Sequence, residues 1–436
     1  MTATNGDPVR RGHRADARRG PRPSRWRGAG HRIGEAAAGI DRATPATRER
    51  AIDGLRALAI CGVVLGHWLV TALVVWEDGG LRVSSPLRDM PGLAPLSWVL
   101  QLLGLFFLVG GYVAARSLAR SRERGQSDGA WLRARLGRLL RPLIAVAAVW
   151  GLIAAVLPLL GVPEATMRTG VLLTGQPMWF IAVYLAVTAL TRYVVAADLR
   201  FGAVAVLVPL AAVAAVDLLC HGPWQEAVPG WLGMVNVLPA WLFGYQLGVS
   251  WAHGRLSRPI AVVLLIAGAV GLAVLVTRLG YPVSAVGVPG AERSNAHPPS
   301  LFVPTLAAAQ IGAAVLLRDP LERLLRRSPL LWAGVAALNL GALTVFCWHQ
   351  SALVAVSAAG SVWGVLPGLT AAADGPAWIA ARLLWLPVFG AVLLLLVAAL
   401  RRYEGPWERT ALRSATARTA AVLAAAGFLV ALVRIL

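Results

Sequence analysis

Apolar runs of membrane-crossing length recur along most of this chain. They fall near residues 55–76, 95–115, 142–160, 177–197, 201–220, 231–250, 259–279, 301–317, 333–356, 377–400 and 416–435. Each is close to the roughly 20 residues that a helix needs to cross a bilayer's hydrocarbon core. Polar residues gather in short stretches between the runs. The short alternating segments of a membrane β-barrel are missing from the pattern. It predicts an all-α, polytopic transmembrane helical bundle of about 10–11 helices, the architecture that satisfies every backbone polar group inside lipid. Residues 1–47 differ: they are rich in Arg, Gly, Pro and Ala and lack the apolar core of a secretory signal. They are expected to form a disordered basic tail at the cytoplasmic leaflet. Residues 48–402 then form the membrane domain, and 403–436 an extension with one more crossing helix.

Composition agrees with this reading. The chain is 57% hydrophobic and 14% charged, against about 25% charged residues in a soluble domain. Its formal net charge is +20, all of the positive charge coming from arginine. On a soluble fold that excess would suggest nucleic acid. Here the arginines sit in short loops, where they act as topology determinants, so no nucleic-acid partner is expected. With the N-terminus inside, the inner loops hold Arg116 to Arg141, Arg192 and Arg200, Arg255 and Arg258, Arg318 to Arg327, and Arg401 to Arg409. The outer loops are poorer in arginine. This predicts a cytoplasmic-membrane protein with a cytoplasmic N-terminus and lipid as its surroundings. Trp76, Trp98, Trp150, Trp231 and Trp378 fall at span ends, as an aromatic belt would. Cys61, Cys220 and Cys347 lie in apolar runs without metal or disulfide spacing, and read as buried thiols.

Candidate chemistry begins with Arg56 and His67. Their spacing of eleven residues is close to three helical turns, which places both on one face about 16 Å apart along the axis. Asp53 lies on the same side. It is either a helix cap or a partner that orients Arg56. Arg56 could merely snorkel to headgroups, but a histidine amid Val64, Leu65, Trp68 and Leu69 is costly at membrane depth and reads as functional. His349, inside the ninth run, is a second intramembrane imidazole and suggests a shared internal site. Two histidines could mean a metal, but no third ligand has useful spacing, so none is expected. Arg135, Arg138 and Arg141 share roughly one helical side at the membrane surface. Such a face either sets topology or clamps phosphates. Gly110-Gly111-Tyr112 permits close helix approach or passage of a thin ligand. Trp179 opens the fourth run within Pro177-Met178-Trp179-Phe180.

Together these residues resemble the acyltransferase-3 family of bacterial membrane O-acyltransferases. The likeness rests on Asp53-Gly54-Leu55-Arg56 followed by His67, on Phe106-Phe107 to Gly111-Tyr112, on Arg135, Arg138 and Arg141-Pro142, on Met178-Trp179-Phe180, and on His349 after an aromatic run. It covers about residues 50–400. The resemblance implies about ten transmembrane helices and transfer of an acyl group, often acetyl, from cytoplasmic acyl-CoA. The acceptor would be a hydroxyl of a glycan, lipid or small secondary metabolite. By the same resemblance Arg56 and His67 are donor and catalytic residues, with Asp53 and His349 supporting them. The arginine run, with Arg116, Tyr112 and Trp179, would hold the CoA moiety. Two positions depart from the family pattern: Gly110 stands where a serine is common, and Phe346 where a tyrosine is common. Two other classes are consistent with the residues alone: a proton-coupled transporter with His67 and His349 as its relay, and a scaffold acting through residues 1–47.

Overall fold

The computed structural model describes residues 1–2 and 25–435 and is 77% helical. Its helices are α1 (Arg25–Ala43), α2 (Arg50–Val70), α3 (Leu103–Glu123), α4 (Asp128–Val156), α5 (Glu164–Ala189), α6 (Thr191–Phe201), α7 (Leu207–His221) and α8 (Val237–Ala252). They continue as α9 (Arg258–Thr277), α10 (Phe302–Leu316), α11 (Arg318–Arg327), α12 (Pro329–Leu340), α13 (Ala342–Ser361), α14 (Pro376–Leu400) and α15 (Ala415–Ile435). Among the described residues ten helical stretches are long and apolar enough to cross a membrane, and α10 with α11, bent by 53°, makes an eleventh if counted as one span. The chain is therefore a multi-pass, all-α membrane protein.

Several boundaries depart from the hydropathy pattern. The first run, expected to reach residue 76, leaves the helix at Val70. Thr71, Val74 and Val75 are β-branched and fit a pleated strand better than a helix. Asp78-Gly79-Gly80 then turns the chain, with Gly79 at φ +72°. An antiparallel hairpin results, β1 (Ala72–Val75) on β2 (Leu81–Ser84), with Ala72 opposite Ser84. The segment 116–141, expected as a loop, is helical on both sides of a short turn. Gly125 takes φ +71° there, and the Ser127 hydroxyl accepts from the Ala130 N–H, capping α4. The ninth run, expected as one span over 333–356, breaks at Gly341 into α12 and α13. Residues 25–43, expected to be disordered, form α1, which packs on α12. The remainder of the expected tail, residues 3–24, lies outside the described residues.

Tight packing follows from small residues. A Cβ on Gly111 would strike the Tyr245 carbonyl, and one on Gly248 the Leu108 carbonyl, so α3 and α8 meet nearly backbone to backbone. Such small-residue contacts are how membrane helices associate, because lipid offers no hydrophobic drive between them. The close-approach reading of Gly110-Gly111 thus describes what Gly111 does; Gly110 faces the Tyr184 ring. Burial sorts the helices: 72% of the α13 window is buried, against 11% for α14 and for α15. α13 is the central post, and the last two helices face outward. Two tryptophans read as belt residues are instead internal. Trp150 donates to Ser351 Oγ at 2.9 Å, and Trp378 is buried under Arg382. Of the three thiols expected to be buried, only Cys347 is. Cys61 is exposed and Cys220 half-buried, because each falls on the outward side of its helix.

Candidate active site

Asp53, Arg56 and His67 all belong to α2, and their environments differ from one end to the other. At the Arg56 end the polar groups are tied into a network. Asp53 accepts from Arg48 Nε at 2.6 Å and lies 3.6 Å from Arg56. That carboxylate raises the proton affinity of the Arg48 guanidinium, chiefly through the hydrogen bond. Arg56 Nε donates to the Asn339 side-chain carbonyl, while Asn339 Nδ2 donates to the Asp53 backbone carbonyl at 2.8 Å. Asn339 therefore locks the α12 end onto α2 and aims Arg56. The bond from the charged Arg56 guanidinium contributes about 1.5–3 kcal/mol, and the neutral amide bond about 0.5–1.5 kcal/mol.

Three turns further on, His67 meets His349 of α13. The two rings are 9° from parallel with centroids 4.9 Å apart, and His67 Nδ1 lies 2.6 Å from His349 Nε2. The hydrogen positions follow from the neighbours. His349 Nδ1 is 2.7 Å from the Phe346 carbonyl, which can only accept, so Nδ1 carries the hydrogen. A neutral His349 then accepts at Nε2, and His67 must donate from Nδ1. This leaves Nε2 of His67 with a free lone pair, the form a general base requires. His349 is fully buried. Trp68 reinforces the pair by donating to the His349 carbonyl at 3.0 Å.

Two cavities flank this axis. The one at the Arg56 end, termed inner only for its place on α2, has about 310 Å³ and is lined by Arg56, Arg135, Arg138, Tyr184, Asn339 and Glu404, among others. The one at the His67 end, termed outer in the same sense, has about 180 Å³ and is lined by His67, Gln101, Gln176, Trp179, Trp241 and His297, with apolar neighbours. A third, of about 430 Å³, adjoins the inner one at Arg56 and Asn339 and reaches Arg48, Thr44 and Trp332. The outer cavity has no Asp, Glu or Arg among its described lining residues. The inner one combines three guanidiniums with Glu404, whose carboxylate is held by the Thr344 N–H and hydroxyl.

The residues predicted from the sequence separate accordingly. Asp53, Arg56, Arg135 and Arg138 cluster at the inner end, although Asp53 stands behind Arg56 and is not itself in the inner cavity. His67 and His349 form one unit at the outer end. Trp179, grouped with the arginines on sequence grounds, lines the outer cavity beside His67 and meets His297 edge-on at 5.1 Å. Arg116 and Tyr112 both bond to Glu49, just before α2, and line neither cavity. They brace the start of α2. Arg141 lines neither cavity as well; the helix turns it away from its neighbours at 135 and 138.

Sequence reasoning missed four residues. Asn339 and Glu404 join the inner site through tertiary contact, although an asparagine inside an apolar run was a visible signal. His297 lies in the irregular stretch before α10 and gave none; it reaches the outer cavity only because that stretch folds over it. Burial lowers its proton affinity below the usual histidine value. Arg382 is the fourth, a guanidinium inside the run 377–400. It is fully buried between Trp378 and Phe389 and donates to the Thr71 carbonyl, one turn beyond His67. Its Nε and Nη1 have no partner among the described residues. Among those residues no group of three His, Cys, Asp or Glu side chains gathers as a metal ion would require.

A family model described as an acyltransferase domain matches residues 49–432. No curated protein and no solved structure matches the chain.

Proposed function

The chain belongs to the acyltransferase-3 family, and from that premise we propose an O-acyltransferase of the bacterial cytoplasmic membrane. It would move an acyl group, acetyl by its family likeness, from acyl-CoA to a hydroxyl of a carbohydrate, lipid or secondary metabolite. The observation that carries this reading is the division of one helix between two cavities. A cationic space at the Arg56 end suits the phosphates of CoA. A neutral one at the His67 end suits an uncharged, hydroxyl-bearing acceptor. Arginine on Arg135 and Arg138 offers paired donors for phosphate oxygens. Trp179 and Trp241 offer flat apolar faces to a ring, and Gln101 and Gln176 offer amides to its hydroxyls. The arginine-rich loops at the Arg56 end favour placing that end in the cytoplasm, where acyl-CoA is made.

The chemistry follows from the tautomers. His67 Nε2 accepts the proton of the acceptor hydroxyl as its oxygen attacks the thioester carbonyl carbon. The C–O bond forms, the carbonyl oxygen gathers negative charge, and the C–S bond then breaks. The proton returns from His67 to the departing CoA sulfur. His349 holds His67 in the reactive tautomer and shares the positive charge of its transient imidazolium. Arg56, fixed by Asn339 and Asp53, positions the donor. The buried Arg382 secures the end of α2 on which His67 rides. Arg116 and Tyr112 act through the placement of α2, and Arg141 at most as a long-range charge.

The test is incubation of the purified protein with labelled acetyl-CoA and a panel of neutral glycans and metabolites. Label should move to a hydroxyl product with wild type and not with His67→Ala. Transfer that survives His67→Ala in folded protein overturns the assignment.

A further inference from the structure

Two aromatic rings belong to both cavities. Phe180 of α5 and Phe346 of α13 each line the inner and the outer space. Their centroids are 4.6 Å apart. Phe106 of α3 backs them on the inner side, 5.1 Å from Phe180 and 6.3 Å from Phe346. Both shared rings are 3% exposed, and they stand between two spaces that are otherwise separately lined. This matters under the reading above, on which the present inference rests. The donor docks beside Arg56, but the base that activates the acceptor is about 16 Å further along α2. A base acts only within hydrogen-bond reach of its proton. The acyl carbonyl must therefore pass the two rings.

We propose that Phe180 and Phe346, backed by Phe106, form a gate between the cavities whose clearance sets the length of acyl chain delivered to His67. The contacts suit a moving part. The Phe180 and Phe346 rings meet at a 43° tilt, as carbon faces without hydrogen bonds, so a rotamer change leaves no polar group unpaired. The Phe346 backbone carbonyl holds His349, so the ring swings while the histidine pair stays in register. Closed, the gate keeps water and His67 away from the thioester. Open, it admits a short acyl group and resists a longer one, because each added methylene needs room among well-packed rings.

The experiment uses the full chain in lipid nanodiscs with water as acceptor. In that reaction the C–S bond of acyl-CoA breaks and a C–O bond to water forms. One water proton passes by way of His67 to the CoA thiolate, leaving a carboxylic acid and free thiol. Thiol release is followed with acetyl-, butyryl- and octanoyl-CoA. Phe346→Ala and Phe180→Ala should each raise release over wild type. They should also raise the octanoyl-to-acetyl ratio by about tenfold or more, the scale on which pockets discriminate methylenes. Phe346→Leu and Phe180→Leu, which keep an apolar side chain and guard against misfolding, should move the ratio the same way by less. Adding His67→Ala to Phe346→Ala should return release to background. Folded variants that bind acyl-CoA yet keep the wild-type length profile overturn the gate, as does release that persists without His67. Failure of the donor reading looks different: wild type then shows no binding of labelled acyl-CoA at equilibrium.

Discussion

The inner cavity gathers three guanidiniums around aromatic walls, whereas the outer cavity, reached along the same helix, has histidines and amides but no full charge among its described lining residues. Both are built by α2, α5 and α13, so the difference does not come from separate domains. It comes from which further element closes each end. The α4 arginines and Asn339 of α12 close the inner end. The β1–β2 hairpin and the stretch before α10 close the outer. One helix bundle therefore presents a charged space and a neutral one, with two phenylalanines as the side chains they share. The phenylalanines are the partition, and the His67–His349 pair sits just beyond it.

This contrast is breakable from either side. The largest effect is expected at the outer end: His67→Ala should lower turnover by about 10²–10⁴-fold, the range of a positioned general base, measured as acyl transfer or thiol release with the fold checked by gel filtration. At the inner end, Arg135→Gln with Arg138→Gln should weaken the donor rather than the chemistry. KM for acyl-CoA should rise about tenfold or more, from loss of charged hydrogen bonds, with kcat largely kept. An equal fall in kcat with KM unchanged would move those arginines from binding to catalysis. His349→Gln presents an amide oxygen to His67 Nδ1–H, so it should retain more activity than His349→Ala. The gap should be about a hydrogen bond's worth, roughly threefold to tenfold in kcat. Equal activities would remove the tautomer argument.

The smallest expected effect concerns pH at the outer rim. Burial pushes the proton affinity of His297 below the histidine value of 6.5. The folded protein thus holds it neutral where the unfolded chain takes up a proton. The stabilisation this represents is full above about 6.5 and is lost as pH falls through that value toward the lower folded one. Thermal unfolding of wild type and His297→Gln over this range should show the wild type losing the larger share on acidification. Parallel curves would mean that the outer cavity admits water to His297.

Much of the molecule was legible in the chain itself. Long apolar runs determine a helical bundle, because lipid leaves an unpaired backbone no other solution. The spacing of Arg56 and His67 determines that they share a face, because helical pitch is local geometry. Where tertiary contact decides, the sequence was silent or misread. Gly341 splits a run that hydropathy joins, and β-branched residues end α2 before its apolar pattern does. Helix rotation separates Arg135 and Arg138 from Arg141, and Trp179 from the arginines it was grouped with. That His67 and His349, 282 residues apart, share one hydrogen bond is a matter of packing alone. So is the meeting of Phe180 with Phe346. Periodicity reports which side of a helix is apolar; only the neighbours pressed against it determine which of those side chains meet, and what is left between them.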